Sequence, residues 1–461
     1  MHPNKPARRP NDRNEPARKP EAAKSLLPPA RAVALDALAR CLGHGQGGNR
    51  SASSDTEREM DAQAALDTTL NQRKPDPRDA ALATELFYGV LRCKSRVEYI
   101  LSRFLDRPQA LPPAVMLILC TAAYEMLHLD RIPAHASVNW GVDAVRETTG
   151  TAGGRGLAGL ANAVLRKVAA LAEHPLPENF FGPEGEPETL ARQYACPLWL
   201  VELWLDEYGT EQAESYLAAQ SLAPALGLAV DHKHPQAMEI ARGLAAQPGL
   251  LRSSGLGFAF TPGSHPVDIP EDSVVRQSFA GREALLALDP LSWPEPIWDA
   301  CAGRGGKARL LLEYGKTVLA SDIHRGRIRA LQAELPEAET VVGSALERPA
   351  FSAKPRTILL DAPCSGLGTL SRRPDIKWKR REDDFDDLVE LQAKMLASAW
   401  ECLPEKGLLA YVTCTLNPDE NERQIAALLA DHPDATLRTE WTTNPDAPWG
   451  EFFYAALVEK A

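Results

Sequence analysis

No two of the eight cysteines form a CxxC pair, and their spacing is irregular. That excludes a zinc ribbon, argues against a disulfide framework, and leads us to expect a reducing, cytoplasmic setting without a structural metal. The chain has no run of about 18 apolar residues, so no transmembrane helix is expected. Its N-terminus has no apolar stretch of the kind that forms a secretion signal. It also lacks an excess of positive charge: 51 Lys and Arg stand against 62 Asp and Glu, for a net charge of −11. A uniformly basic nucleic-acid coat is thereby excluded, and any polyanion must be held by local basic patches. What remains is ordinary for globular protein, with 44% apolar and 25% charged residues. A length of 461 residues implies about two to four domains.

Residues 1–27 read as a disordered basic tail; within 1–24, five prolines and seven Lys or Arg stand against three acids. Apolar residues then recur at three and four from Arg31 to Ala39, Ala81 to Leu91 and Val115 to Leu127, which predicts an all-α domain of roughly six helices over 28–171. A polar stretch from Gly43 to Thr56 interrupts the first two helices as a loop. Residues 172–194 are rich in Pro, Gly and Glu and read as a linker. Residues 195–280 mix an amphipathic helix ending near Gly209 with strand patterns at Ala225–Asp231 and Gly255–Phe260, a small α+β module. From 281 to 461, strand and helix patterns alternate, which predicts a parallel sheet flanked by helices.

Two cysteines follow apolar strand-like runs. Thr357–Leu360 leads into Asp361-Ala362-Pro363-Cys364-Ser365-Gly366, and Gly407–Val412 leads into Thr413-Cys414-Thr415. Parallel strands would bring both thiols and Asp361 to the carboxyl edge of one sheet, where open α/β folds bind ligands. That set suits addition to an electron-poor ring: a thiolate adding to C6 of a pyrimidine makes C5 nucleophilic. Asn417, Pro418 and Glu420 stand at N-cap, N1 and N3 spacing, so the positive end of a helix is expected to favour a thiolate at Cys414. Cys364, followed by Ser365-Gly366-Leu367-Gly368, is expected on an open loop.

A third strand, Pro296–Ala300, runs into Cys301-Ala302-Gly303-Arg304-Gly305-Gly306-Lys307 and then a helix, the opening of a nucleotide-binding βαβ unit. The turn itself carries neither GxGxxG nor the full GxxxxGK phosphate loop. Asp322, at the end of the next strand and about 20 residues on, suits ribose hydroxyls. S-adenosylmethionine therefore fits better than a dinucleotide or a triphosphate. Between the thiols, Arg372-Arg373-Pro374-Asp375-Ile376-Lys377-Trp378-Lys379-Arg380-Arg381 sets six cations and a tryptophan against one acid, a pattern that suits RNA phosphates with a stacked base.

Several of these motifs carry a family resemblance. Asp130–Val142 and Gly159–Lys167 resemble the NusB family signature. Residues 301–307, Asp361–Gly366, Arg373–Trp378 and Thr413-Cys414 with Asn417–Asn421 resemble the RNA cytosine-5 methyltransferases of the bacterial RsmB/Sun type, over about residues 28–458. The resemblance implies a Rossmann-like methyltransferase domain after a NusB-like RNA-binding one. It implies S-adenosylmethionine at Cys301–Lys307, Asp322 and Asp361, with Cys414 as nucleophile, Cys364 releasing the adduct and Asp361 assisting the base. Arg372, Arg373, Lys377, Trp378 and Lys379 are expected to hold RNA, small-subunit ribosomal RNA first. The protein is expected to act as a monomer, with no metal and no membrane. Gly303 and Arg304 replace Ala-Pro of the family loop, and Ser344 replaces an adenine-side aspartate. An assembly factor with weakened catalysis and a transfer RNA methyltransferase are the competing expectations.

Overall fold

The computed structural model describes residues 27–43, 60–270, 272–347 and 349–461. The expected N-terminal tail, and all but Gly43 of the loop expected over Gly43–Thr56, lie outside those residues.

The first unit is helical: α1 (Pro29–Cys41), α2 (Ala62–Arg73), α3 (Pro77–Ser102), α4 (Pro113–His128) and α5 (Ala134–Ala172). α5 is broken at Gly150, whose φ of 68° suits glycine, so its two halves complete the expected set of six. Leu86, Phe87, Ile118, Leu119, Val145 and Leu165 form the core. The buried Glu125 carboxylate accepts hydrogen bonds from Arg31, Ser137 and Trp140, at 2.6–2.8 Å. Part of the NusB-like signature thus holds the helices together.

The stretch expected as a linker contains α6 (Pro187–Gln193), and α7 (Leu198–Ser221) follows. α7 bends at Gly209, where the sequence predicted an end, and continues for three more turns. Its Trp204, Tyr216 and Leu217 pack with Leu367, Phe385, Leu416 and Phe452, so α7 belongs to the core beneath the thiol loops.

Four short strands form an antiparallel sheet in the order β2-β3-β1-β4: β1 (Leu226–Val230), β2 (Leu250–Ser254), β3 (Gly257–Phe260) and β4 (Val274–Arg276). Helix α8 (Ala237–Ala245) covers one face through Ile240 and Leu244 against Phe258 and Phe260. Ala225 and Ala259 pack instead into the core of the larger domain.

That domain holds α9 (Phe279–Ala287), β5 (Ile297–Asp299), α10 (Gly306–Glu313), β6 (Val318–Asp322), α11 (Arg325–Glu334), β7 (Glu339–Val342) and β8 (Thr357–Asp361). After these come α12 (Ile376–Lys379), α13 (Asp384–Cys402), β9 (Leu408–Thr413), α14 (Glu422–Asp431), β10 (Ala435–Thr442) and β11 (Tyr454–Lys460). The sheet order is β10-β11-β9-β8-β5-β6-β7. Strands β7, β6, β5, β8 and β9 pair in parallel, while β11 and β10 pair antiparallel to their neighbours. The chain runs outward from β5 through β6 to β7, then returns to β8 on the other side. Ligands bind at such a switch point, beyond the carboxyl ends of the strands.

Candidate active site

The glycine turn after β5 is shaped by backbone need. Gly305 has φ 82°, and a Cβ there would lie 2.9 Å from Leu335 and 3.1 Å from Leu331. A Cβ on Gly303, φ 56°, would approach only Cys301 O, at 4.0 Å, and Arg304 beside it is exposed. Asp322 is buried at the end of β6; its carboxylate accepts from Gly303 N–H at 3.1 Å and His324 N–H at 2.7 Å. At and just past the ends of β6 and β7, Ile323, Val342 and Leu346 are 64%, 44% and 42% exposed, an apolar rim beside a polar turn. Ser344 lies on that rim, its hydroxyl accepting from Leu346 N–H at 3.1 Å.

Asp299, at the end of β5, is a residue that the sequence reading missed. It is buried and neither carboxylate oxygen has a well-formed hydrogen bond, although the Cys301 backbone N–H offsets part of the cost of its burial. Burial, with Asp361 nearby, pushes its pKa up to about 7. An under-bonded buried carboxylate is matched by a cationic ligand group, and S-adenosylmethionine carries an ammonium and a sulfonium. The acceptor at Asp322 and the apolar rim suit its ribose and adenine. The crevice therefore fits the cofactor. Lys307, in the first turn of α10, pairs with Asp361 at 2.5 Å. The Cys301 thiol is pushed far up, by burial first and the Asp361, Asp299 and Asp322 carboxylates next, so it stays protonated.

Strands β8 and β9 are parallel, with Asp361 opposite Val412. The loops beyond them bring Cys364 Sγ within 3.2 Å of Cys414 Sγ. The Arg373 guanidinium donates to Cys414 Sγ at 3.3 Å, and the Cys414 backbone N–H points to Cys364 Sγ at 3.3 Å. These two donors compete for the anion. A full charge about 4 Å away is worth about 4 kcal/mol at an effective dielectric near 20, against about 1 kcal/mol for a neutral hydrogen bond, so Cys414 holds the negative charge. The hydrogen bond from Cys364 and the Arg373 charge outweigh burial and lower the Cys414 pKa to about 7. The bond it donates to Cys414, together with burial, raises Cys364 well above its ordinary value.

Two expectations about these loops are corrected. Asn417 caps only the one-turn 3-10 helix Pro418–Glu420, and the α-helix begins later, at Glu422. Cys414 therefore owes its charge to Arg373 and Cys364, not to a helix end. The Cys364 loop is not open either. Ser365 is buried, and a Cβ on Gly368 would lie 2.1 Å from Phe452 O and 2.9 Å from Cys414 O. Glu420, read from sequence as a cap residue, is 0% exposed. It accepts from Ser365 N–H (2.7 Å), Ser365 Oγ (2.5 Å) and Gln392 (2.9 Å) on one side, and from Thr415 Oγ1 and Asn417 Nδ2 (3.3 Å each) on the other. One carboxylate thus fastens both thiol loops.

The cationic segment between the thiols departs most from expectation. Lys377 is 4% exposed, and its Nζ donates to Arg92 O (2.8 Å) and Ala195 O (2.7 Å). Trp378 packs against the helical core and donates to Leu91 O at 2.8 Å. Lys379 donates to Met60 O at 2.7 Å and pairs with Asp375 at 3.0 Å. Arg372 is bidentate to the buried Glu451, at 2.7–2.8 Å. These four side chains are engaged by the protein itself: Lys377, Trp378 and Lys379 join the helical domain to the catalytic one, and Arg372 is held within the catalytic domain by Glu451, while a fifth residue, Arg373, contacts the Cys414 thiol. The sequence displays the charges but not the carbonyls that face them. Within the helical domain, Arg92 is also buried and Lys94 pairs with Glu98 at 2.8 Å.

The doubly wound sheet and its cofactor crevice are those of an S-adenosylmethionine-dependent methyltransferase, joined to a NusB-like helical domain. Residues 285–451 match the 16S rRNA methyltransferase RsmB/F family, and residues 28–170 match the NusB family. A probable ribosomal RNA small subunit methyltransferase B from Bacillus subtilis (strain 168) is 30% identical over 390 residues, 80% of this chain and 84% of that protein. The ribosomal RNA small subunit methyltransferase B of Vibrio cholerae serotype O1 is 32% identical over 447 residues, 92% of this chain and 100% of that one. The crystal structure of PH0851 superposes with a TM-score of 0.68 at 20% identity, covering 94% of this chain and 99% of that one. The chain belongs to the RsmB/F family of ribosomal RNA methyltransferases. No helix among the described residues is long and apolar enough to cross a membrane.

Proposed function

We propose that this protein forms 5-methylcytosine in small-subunit ribosomal RNA through a covalent bond between Cys414 Sγ and C6 of the base. The observation that carries the reading is the thiol pair: 3.2 Å apart, with a guanidinium on Cys414 alone. As Cys414 Sγ bonds to C6, the C5–C6 π electrons localise at C5. S-adenosylmethionine supplies an electrophilic methyl group for that carbon. Asp361, at the sheet edge and paired with Lys307, would hold the base at its N3 side. Cys364 keeps its proton while Cys414 attacks. Once Cys414 Sγ is bonded to carbon it no longer holds the anion, so Cys364 can lose its proton to solvent. The Cys364 thiolate then takes the C5 proton, the C5–C6 double bond re-forms from the C–H electron pair, and the C6–S bond breaks with its pair returning to Cys414 as thiolate. The target base must leave any helix to reach thiols at a sheet edge.

Two observations weigh against the weakened-enzyme alternative: a Cβ on Gly303 would approach only Cys301 O, at 4.0 Å, beside an exposed Arg304, and the Asp322 carboxylate accepts from Gly303 N–H. Two variants test the roles. Cys414→Ala should abolish both methylation and the covalent protein–RNA species. Cys364→Ala should accumulate that species on denaturing gels. If Cys414→Ala accumulates it and Cys364→Ala does not, the roles are exchanged. Bisulfite sequencing of ribosomal and transfer RNA from a deletion strain identifies the substrate.

A further inference from the structure

We propose that Arg373–Lys379 is a strut: Lys377 and Trp378, anchored in the helical domain, are positioning residues that hold the Arg373 guanidinium against the Cys414 sulfur. This rests on Cys414 being the nucleophile and on Arg373 being what keeps it anionic.

The segment is short and stiff. Backbone bonds run from Arg373 N–H to Thr369 O (2.8 Å), Ile376 N–H to Arg373 O (3.2 Å), Trp378 N–H to Asp375 O (3.0 Å) and Arg380 N–H to Ile376 O (3.0 Å). Pro374 fixes one φ within it. Arg373 at one end is fastened by Thr369 Oγ1, at 3.0 and 3.2 Å. At the other end one ammonium joins three parts of the chain, since Lys377 reaches from the catalytic domain to Arg92 O in α3 and to Ala195 O between α6 and α7. Ala62 N–H donates across the same seam to Asp375 at 3.1 Å.

Lys377 does not look like a residue kept for stability. Among the described residues no carboxylate pairs with it, and burial lowers its pKa to about 8. A methionine would fill the space without desolvating a charge. What the lysine adds is direction: two short bonds that fix where α12 starts, and thereby where Arg373, four residues earlier, points. The charged and titratable groups around Cys414 are Cys364, Arg373, Asp361 and Lys307, with Asp375 beyond Arg373 and Glu420 beyond Cys364. Of these, Arg373 and Asp375 lie on the strut.

The test uses the full chain and the rate of iodoacetamide alkylation at each cysteine, followed by peptide mass spectrometry from pH 5.5 to 9.5. Arg373→Gln should move the Cys414 midpoint upward. Lys377→Met should move it the same way, and Cys414 alkylation at pH 7 should slow by up to roughly tenfold for every pH unit that the midpoint rises. Trp378→Phe, which keeps the packing and removes the bond to Leu91 O, should move it less. General loosening has the opposite signature, because Cys41 and Cys196, buried beside Lys379 and Lys377, would react faster. If Arg373→Gln shifts Cys414 while both seam variants coincide with wild type, or merely expose Cys41 and Cys196, the strut is wrong and the nucleophile assignment stands. If Arg373→Gln itself leaves Cys414 unmoved, the premise fails as well.

Discussion

Glu420 shows how much one buried side chain can carry. Its five donors are all uncharged, and they come from both thiol loops and from α13. Glu420→Gln would turn an amide N–H₂ toward groups that are themselves donors. A loss of about 1–3 kcal/mol is expected for each bond left unmade, and kcat should fall while cofactor affinity, measured by calorimetry, is retained. Asp322 has the converse signature. Asp322→Ala removes a charged acceptor, so cofactor affinity should fall tenfold or more, since each such bond is worth about 1.5–3 kcal/mol. Ser344→Asp, on the apolar rim, should tighten cofactor binding or leave it unchanged; a large loss would show a differently built adenine side. With Cys414 near 7, thiolate is lost as pH falls through 7, so the methylation rate should rise along a limb centred there. Arg373→Gln should carry that limb upward.

At the level of elements, strands announced themselves where they are buried on both faces. β6 and β8 are continuous apolar runs ending in an aspartate, and both were legible to within a residue. β2 was missed because Leu250–Ser254 is an edge strand with a largely exposed, polar pattern. The bend of α7 at Gly209 was mistaken for its end, since a glycine marks either and only packing decides. The caps misled for a related reason. Asn417-Pro418-Asp419-Glu420 has capping spacing, yet Glu420 turns inward to the loops and the helix starts two residues later. The rigidity that results is open to a direct test. Gly368 accepts from Phe452 N–H at 2.8 Å and donates to Cys414 O at 3.0 Å, with no room for a Cβ. Gly368→Ala should cost about 1–3 kcal/mol by forcing the loops apart. Methylation should fall further than the melting temperature alone implies, because the thiol separation is set there.

At the level of the whole molecule, a net charge of −11 coexists with cations concentrated between the thiols. The sequence made these cations conspicuous but not their depth: of the residues that read as an RNA grip, Lys377, Trp378 and Lys379 lie in the joint between domains. The thiols, the glycine turn and Asp322 were legible because each follows a buried strand. Asp299 was not, because its meaning lies in its burial beside Asp361, and the seam was not, because its carbonyls lie more than 150 residues of chain away from Lys377. The buried ammonium gives the joint its own pH signature. Lys377 has a folded pKa of about 8 against an unfolded value near 10.5, so between these limits the unfolded chain binds more protons than the folded one. The desolvation cost is therefore fully present below pH 8 and relieved as pH rises toward 10.5. Relative to Lys377→Met, wild type should gain on the order of 3 kcal/mol across that window, read as a difference in urea midpoints, with the cysteines and tyrosines common to both cancelling. A constant difference between pH 7 and 10.5 would mean that the ammonium reaches water and that the seam is looser than its hydrogen bonds imply.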